Sequence, residues 1–269
     1  MGRIGKKIKQ LQEKGEKALI AYIVAGDPDL ETTREIIMGF HAAGVDIIEL
    51  GVPFSDPTAD GPVIQAASGR ALRQGTNLAG VLDMAASVHK AVEIPVVLFG
   101  YYNPVFAYGN KNFARQAKAS GIDGILVVDL PPEESWELRK YTDRSDIDFI
   151  SLLAPTTSSE RIERISETAS GFLYYVSITG VTGTEKPQVS DIRNEMKRVK
   201  SITGMPVVIG FGISTPEQAG EIAPYADGIV VGSAFVRMIA EHAGDRNMVK
   251  IVSDYAREIK KAIRNGRKV

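Results

Sequence analysis

The chain has 269 residues, with 32 Lys and Arg against 33 Asp and Glu, a formal net charge of -1, and no cysteine. So even a balance offers no global field for nucleic acid or an anionic membrane, which leaves small molecules or another protein as the expected partners. Without thiols there are no disulfides, cysteine nucleophiles or cysteine-ligated metals, which fits a reducing, cytoplasmic compartment.

Lys6, Lys7 and Lys9 open the chain, but Gln10, Gln12, Glu13, Lys14 and Glu16 follow where a secretory signal would be apolar. The start therefore reads as an amphipathic helix. Apolar stretches such as Ala18 to Gly26 reach about half of the ~18–20 residues that a membrane-crossing helix needs, and no span is expected. Ala18 to Gly26 is the first of eight short apolar, β-branched runs. The others are Asp46 to Pro53, Pro95 to Tyr101, Gly124 to Leu130, Asp148 to Pro155, Gly171 to Ser177, Pro206 to Gly212 and Gly228 to Ala234. Near-continuous hydrophobicity is the mark of strands covered on both faces, as in a parallel sheet.

Helical spacing fills the intervals. Between the first two strands Asp29 can cap, Leu30, Thr33, Ile36, Ile37 and Phe40 line one face, and Gly44 supplies the stop. Leu78 to Val92, Asn112 to Ser120, Pro132 to Thr142, Ser158 to Ala169, Asp191 to Ile202, Thr215 to Ala223 and Asn247 to Ile263 follow the same logic. This alternation predicts an α/β fold, a single-domain (β/α)8 TIM barrel over residues 1–269, with an additional N-terminal helix and a short helix after the eighth strand. An open doubly wound sheet usually announces a G-x-G-x-x-G turn after its first strand, and Ala25-Gly26-Asp27-Pro28 is not one.

In such a barrel the reacting groups lie at the C-terminal ends of the strands. The most informative stretch is IIELGVPFSDPTADG, residues 47–61, which buries Glu49 in an apolar strand and then delivers Asp56 and Asp60 on a Pro-rich loop. Removing a carboxylate from water raises its pKa, so Glu49 reads either as a poised acid or as half of a salt bridge inside the barrel. Asp56 and Asp60 can act in chemistry or merely cap the turn and helix.

No lysine falls inside a strand, which removes the amine of a Schiff-base aldolase. His41, His89 and His242 sit in helical segments without a paired ligand, so no metal is expected. Phe211-Gly212-Ile213-Ser214 and Gly232-Ser233-Ala234-Phe235, with Gly180 and Gly183 in the loop after strand six, suit a phosphate cup of backbone N–H groups. The polar, Gly-rich loop over residues 179–191 reads as a lid that brings Thr182 toward Asp60.

The loop PFSDPTADG, the string GVTGT at Gly180 to Thr184, PVVIGFGIS at Pro206 to Ser214 and ADGIVVGSA at Ala226 to Ala234 together resemble the tryptophan synthase alpha subunit. The likeness runs from Ala18 to about Ala240. It implies a lyase of L-tryptophan biosynthesis that cleaves indole-3-glycerol phosphate to indole and glyceraldehyde 3-phosphate. The resemblance implies no cofactor in this chain and a partner beta subunit, carrying pyridoxal phosphate, in an αββα heterotetramer that receives the indole.

By position, the resemblance makes Glu49 the catalytic acid/base, Asp60 the carboxylate facing the indole N–H, and Tyr174 the active-site tyrosine. It places phosphate contacts at Gly183, Phe211, Gly212, Gly232 and Ser233, and an indole pocket at Tyr22, Phe99, Tyr101, Leu126 and Thr182. Partner contacts would come from the Pro53 to Gly61 loop and from Asn103 to Phe106. Two rival readings share the barrel: another phosphate-binding barrel enzyme, and a barrel acting mainly as an allosteric binding subunit.

Overall fold

The computed structural model describes residues 1–176, 189–210 and 212–266. Among them the strands are β1 (Ala18–Val24), β2 (Ile47–Gly51), β3 (Val96–Gly100), β4 (Gly124–Val127), β5 (Asp148–Phe149), β6 (Ser151–Leu153), β7 (Leu173–Val176), β8 (Val207–Gly210) and β9 (Gly228–Val231). They form one sheet in the order β5-β4-β3-β2-β1-β9-β8-β7-β6. β5 and β6 are halves of a single strand interrupted at Ile150. The first half pairs in parallel with β4 and the second with β7, so the chain itself closes the ring. The eight-stranded barrel read from the sequence is the observed architecture, with strands mostly shorter than the apolar runs that announce them.

Residue alternation divides the apolar side chains into two shells. Leu19, Ala21 and Ile23 of β1 face the surrounding helices, whereas Ala18, Ile20, Tyr22 and Val24 face the barrel interior with Ile47, Val97, Phe99, Leu126, Tyr174 and Val208. The outer helices form where the sequence places them. Asp29 accepts from the Thr32 N–H at 2.7 Å to start Leu30–Ala43, and Gly44 ends it with a left-handed φ of 92°.

Two further helices escape the sequence pattern. Pro62–Arg73 buries only Ala67, Ser68 and Ala71 and contains Gly69, so its apolar stripe is too faint to read. Tyr102–Tyr108 has one buried residue, Val105, and its first N–H is held by Asp129, which comes from the end of a different strand at 2.8 Å. Both helices sit after strands that carry expected site residues, and both shape the site.

Candidate active site

Glu49 lies two residues after Ile47 on β2, which turns its side chain into the barrel interior between Tyr22 of β1 and Val97 of β3. It is 0% exposed, and both carboxylate oxygens lack a hydrogen-bond partner among the described residues. Among the described residues Glu49 has no salt-bridge partner, so the ion pair left open by the sequence is not found there. Burial pushes Glu49 up to about 8, so near neutral pH the side chain is mostly a protonated carboxylic acid.

Two phenols share this interior. Burial pushes Tyr22 well above the usual tyrosine range, with the charges of Asp60 and Glu49 adding to it, and Tyr174 rises for the same reason with Glu49 and Tyr22 beside it. Both remain neutral. Their room comes from glycines that sequence reasoning overlooked. A Cβ on Gly51 would lie 2.5 Å from the Tyr22 hydroxyl, and one on Gly210 would lie 2.0 Å from the Tyr174 hydroxyl. A glycine inside a strand signals such a close approach, and β2 and β8 both end on one.

The expected indole pocket is largely brought together. The Tyr22 ring packs edge-on against Phe99 with centroids 5.1 Å apart, and Leu126 follows Phe99 in register on β4. Tyr101, 4% exposed, stands at the end of β3, where its hydroxyl accepts from the Ala59 N–H at 2.9 Å and donates to Asp60 Oδ2 at 3.2 Å. The Phe54 ring leans on Tyr101 at 5.2 Å. Tyr101 thus ties the acidic loop to the barrel rim.

Asp60, delivered on the Pro-rich loop after β2, is less solvated than such a loop suggests. It is half-buried, and burial pushes its carboxyl up to about 6 while the Tyr101 hydroxyl works in the opposite direction. Asp56 stays exposed, with the Ser55 hydroxyl donating to it at 2.5 Å, and does not join the site.

At the other end, Gly232 precedes the helix Ser233–Glu241, and Gly212 adopts φ 82° in the turn after β8. A Cβ on Gly232 would touch the Tyr22 ring at 3.3 Å. One tyrosine therefore adjoins both the acid end and the glycine end. Thr182, Gly183 and Phe211, and residues 179–188 of the lid expected over 179–191, lie outside the described residues. Among the described residues no group of His, Asp or Glu could hold a metal ion, and no helix is long and apolar enough to cross a membrane.

A buried carboxyl with a raised pKa, a second half-buried carboxyl, an aromatic and apolar wall of Tyr22, Phe99 and Leu126, and glycines after β8 and β9 suit proton transfer on a phosphorylated aromatic substrate. Comparison with known proteins agrees. The family model for the tryptophan synthase alpha chain matches residues 8–264. Tryptophan synthase alpha chains from Desulfosudis oleivorans and Desulfatibacillum aliphaticivorans are 51% and 48% identical over 262 and 264 residues, covering 97% and 98% of this chain and 99% and 100% of theirs. The crystal structure of tryptophan synthase subunit alpha from Legionella pneumophila superposes with a TM-score of 0.92 at 37% identity, covering 98% of this chain and 99% of that one. The chain belongs to the tryptophan synthase alpha chain family, and it is a lyase that cleaves indole-3-glycerol phosphate in tryptophan biosynthesis.

Proposed function

We propose that Glu49 is the acid and base of this cleavage and Asp60 its electrostatic partner. The observation that carries the reading is a carboxyl group fully buried, facing the barrel interior, and without a hydrogen-bond partner among the described residues. Protonated Glu49 gives its proton to the indole ring carbon that bears the glycerol chain, which turns the ring into an electron sink. The resulting carboxylate removes the proton of the adjacent glycerol hydroxyl. The carbon–carbon bond then breaks, its electrons return to the ring, and the aldehyde of glyceraldehyde 3-phosphate forms as indole leaves. Glu49 ends as it began, protonated.

As the ring takes up the proton its N–H becomes more acidic, and ionised Asp60 accepts that hydrogen bond. Tyr174, neutral and held over Gly210, is assigned to the part of the substrate that meets Glu49. Tyr22, Phe99, Tyr101 and Leu126 clamp the ring. Gly212, Gly232 and Ser233 offer backbone N–H groups to the phosphate, with Thr182, Gly183 and Phe211 assigned to the same substrate. Alpha chains of this family use no cofactor of their own, and pyridoxal phosphate belongs to the beta subunit. A beta subunit is the proposed recipient of indole, in a cytoplasmic αββα assembly. The exposed Phe106 side chain, 59% accessible on the helix that carries Asn103, and the loop 53–61 are the proposed contact surface.

The pH profile tests the assignment. Asp60 must be ionised, so kcat/KM for indole-3-glycerol phosphate should rise through about 6; Glu49 must be protonated, so it should fall through about 8. A profile that stays flat or climbs as the pH passes above about 8 would contradict a protonated glutamic acid as the donor.

A further inference from the structure

We infer that Arg70, through its ion pair with Asp27, is a positioning residue for Asp60. The inference rests on the role proposed for Asp60. Arg70 lies on the helix Pro62–Arg73, which begins two residues after Asp60. Its guanidinium meets the Asp27 carboxylate in a two-pronged contact, Nε to Oδ1 at 2.7 Å and Nη2 to Oδ2 at 2.8 Å. Asp27 is 2% exposed and stands just beyond β1, the strand that carries Tyr22. The pair therefore joins the Tyr22 strand to the helix that follows Asp60.

That helix packs against β1 and the helix Ser233–Glu241 mainly through small or partly covered side chains. Its fully buried residues are Ala67, Ser68 and Ala71, with Val63 and Ile64 only partly covered, and its N-cap Gly61 contributes no side-chain hydrogen bond. Small side chains give a weak apolar grip, whereas a planar fork on a buried carboxylate sets both position and rotation. From Gly61 to Arg70 the helix is a rigid lever of about 14 Å. At its near end Gln65 donates to the Asp60 carbonyl at 2.8 Å, so the first turn grips the residue whose carboxylate must meet the indole N–H. Tyr101 holds the same carboxylate from the other side. Loss of the Arg70 fork removes the polar anchor at the far end of the helix and loosens the restraint on Asp60 that runs through it.

The test is a double-mutant cycle on the full chain, reading kcat for indole release, KM and thermal unfolding. Arg70→Met and Asp27→Asn should each lower kcat ~10- to 100-fold, the effect of a misplacement of about an ångström, with KM changed less. Asp27→Asn preserves the shape of the side chain, so it carries the test if Arg70→Met unfolds. In an Asp60→Asn background Arg70→Met should add no further loss, because its effect passes through Asp60. An undiminished loss in that background, or normal kcat in both single variants, overturns the inference. Normal kcat in Asp60→Asn alone would instead remove the role proposed for Asp60.

Discussion

Glu49→Gln is expected to release indole ~10²–10⁴-fold more slowly than the parent enzyme, a barrier increase of about 3–5 kcal/mol. Gln matches Glu in shape but holds no transferable proton, and the other carboxyl near Tyr22, that of Asp60, is raised less than that of Glu49 and is assigned to act as an anion. Substrate binding should survive, because the aromatic slot and the glycine turns lie on other strands. The kinetic signature is a loss in kcat with KM near its parent value, which marks an interaction made only in the transition state. Single-turnover measurement of indole release, paired with equilibrium binding of a substrate analogue, separates the two. Turnover within a factor of a few of the parent would remove Glu49 from the chemistry.

The same substitution should also change how stability depends on pH. Glu49 titrates near 4.5 in an unfolded chain and near 8 in the folded one, so folding takes up a proton between those values. Where the folded state binds more protons, unfolding free energy falls as pH rises. The contribution is near zero below the unfolded value, grows more unfavourable up to the folded value and then levels off. At pH 7 it amounts to about 3 kcal/mol. Glu49→Gln lacks this titration, so the stability of the variant relative to the parent should rise by about 3 kcal/mol between pH 4.5 and 7. Other groups titrate alike in both proteins and cancel in the difference. Parallel denaturant unfolding curves at several pH values give the answer, and a constant difference would mean that the folded carboxyl is not raised.

Much of the barrel was legible because each strand lies in a short apolar run and most of the helices are amphipathic. Ala18–Val24 and Leu30–Ala43 show the two periodicities side by side. The helix Pro62–Arg73 was not legible, since a face of Ala67, Ser68 and Ala71 leaves almost no hydrophobic pattern. The break in the fifth strand at Ile150 was hidden for a different reason. It follows from pairing with β4 on one side and β7 on the other, a constraint set by barrel closure and not by local residues.

In the site, the strand position of Glu49 and the glycines at Gly212 and Gly232 announced themselves by type and spacing. The environment of Asp60 did not. A loop reading PFSDPTADG looks solvated, and its contact with Tyr101, 41 residues from Asp60, is not written in the local sequence. Gly51 and Gly210 carry no local signal beyond their place at strand ends, yet their lack of a side chain is what admits the Tyr22 and Tyr174 hydroxyls. The Asp27–Arg70 pair spans 43 residues, and neither partner carries a local signal of the other.

The whole account turns on the protonation state of one buried side chain, and that state can be observed directly. Carboxyl ¹³C NMR of glutamate-labelled protein, with the Glu49 resonance assigned by its absence in Glu49→Gln, should show a titration midpoint near 8. A midpoint near 4.5 would mean that Glu49 is an ordinary anion at neutral pH, and the acid on which the mechanism depends would not exist.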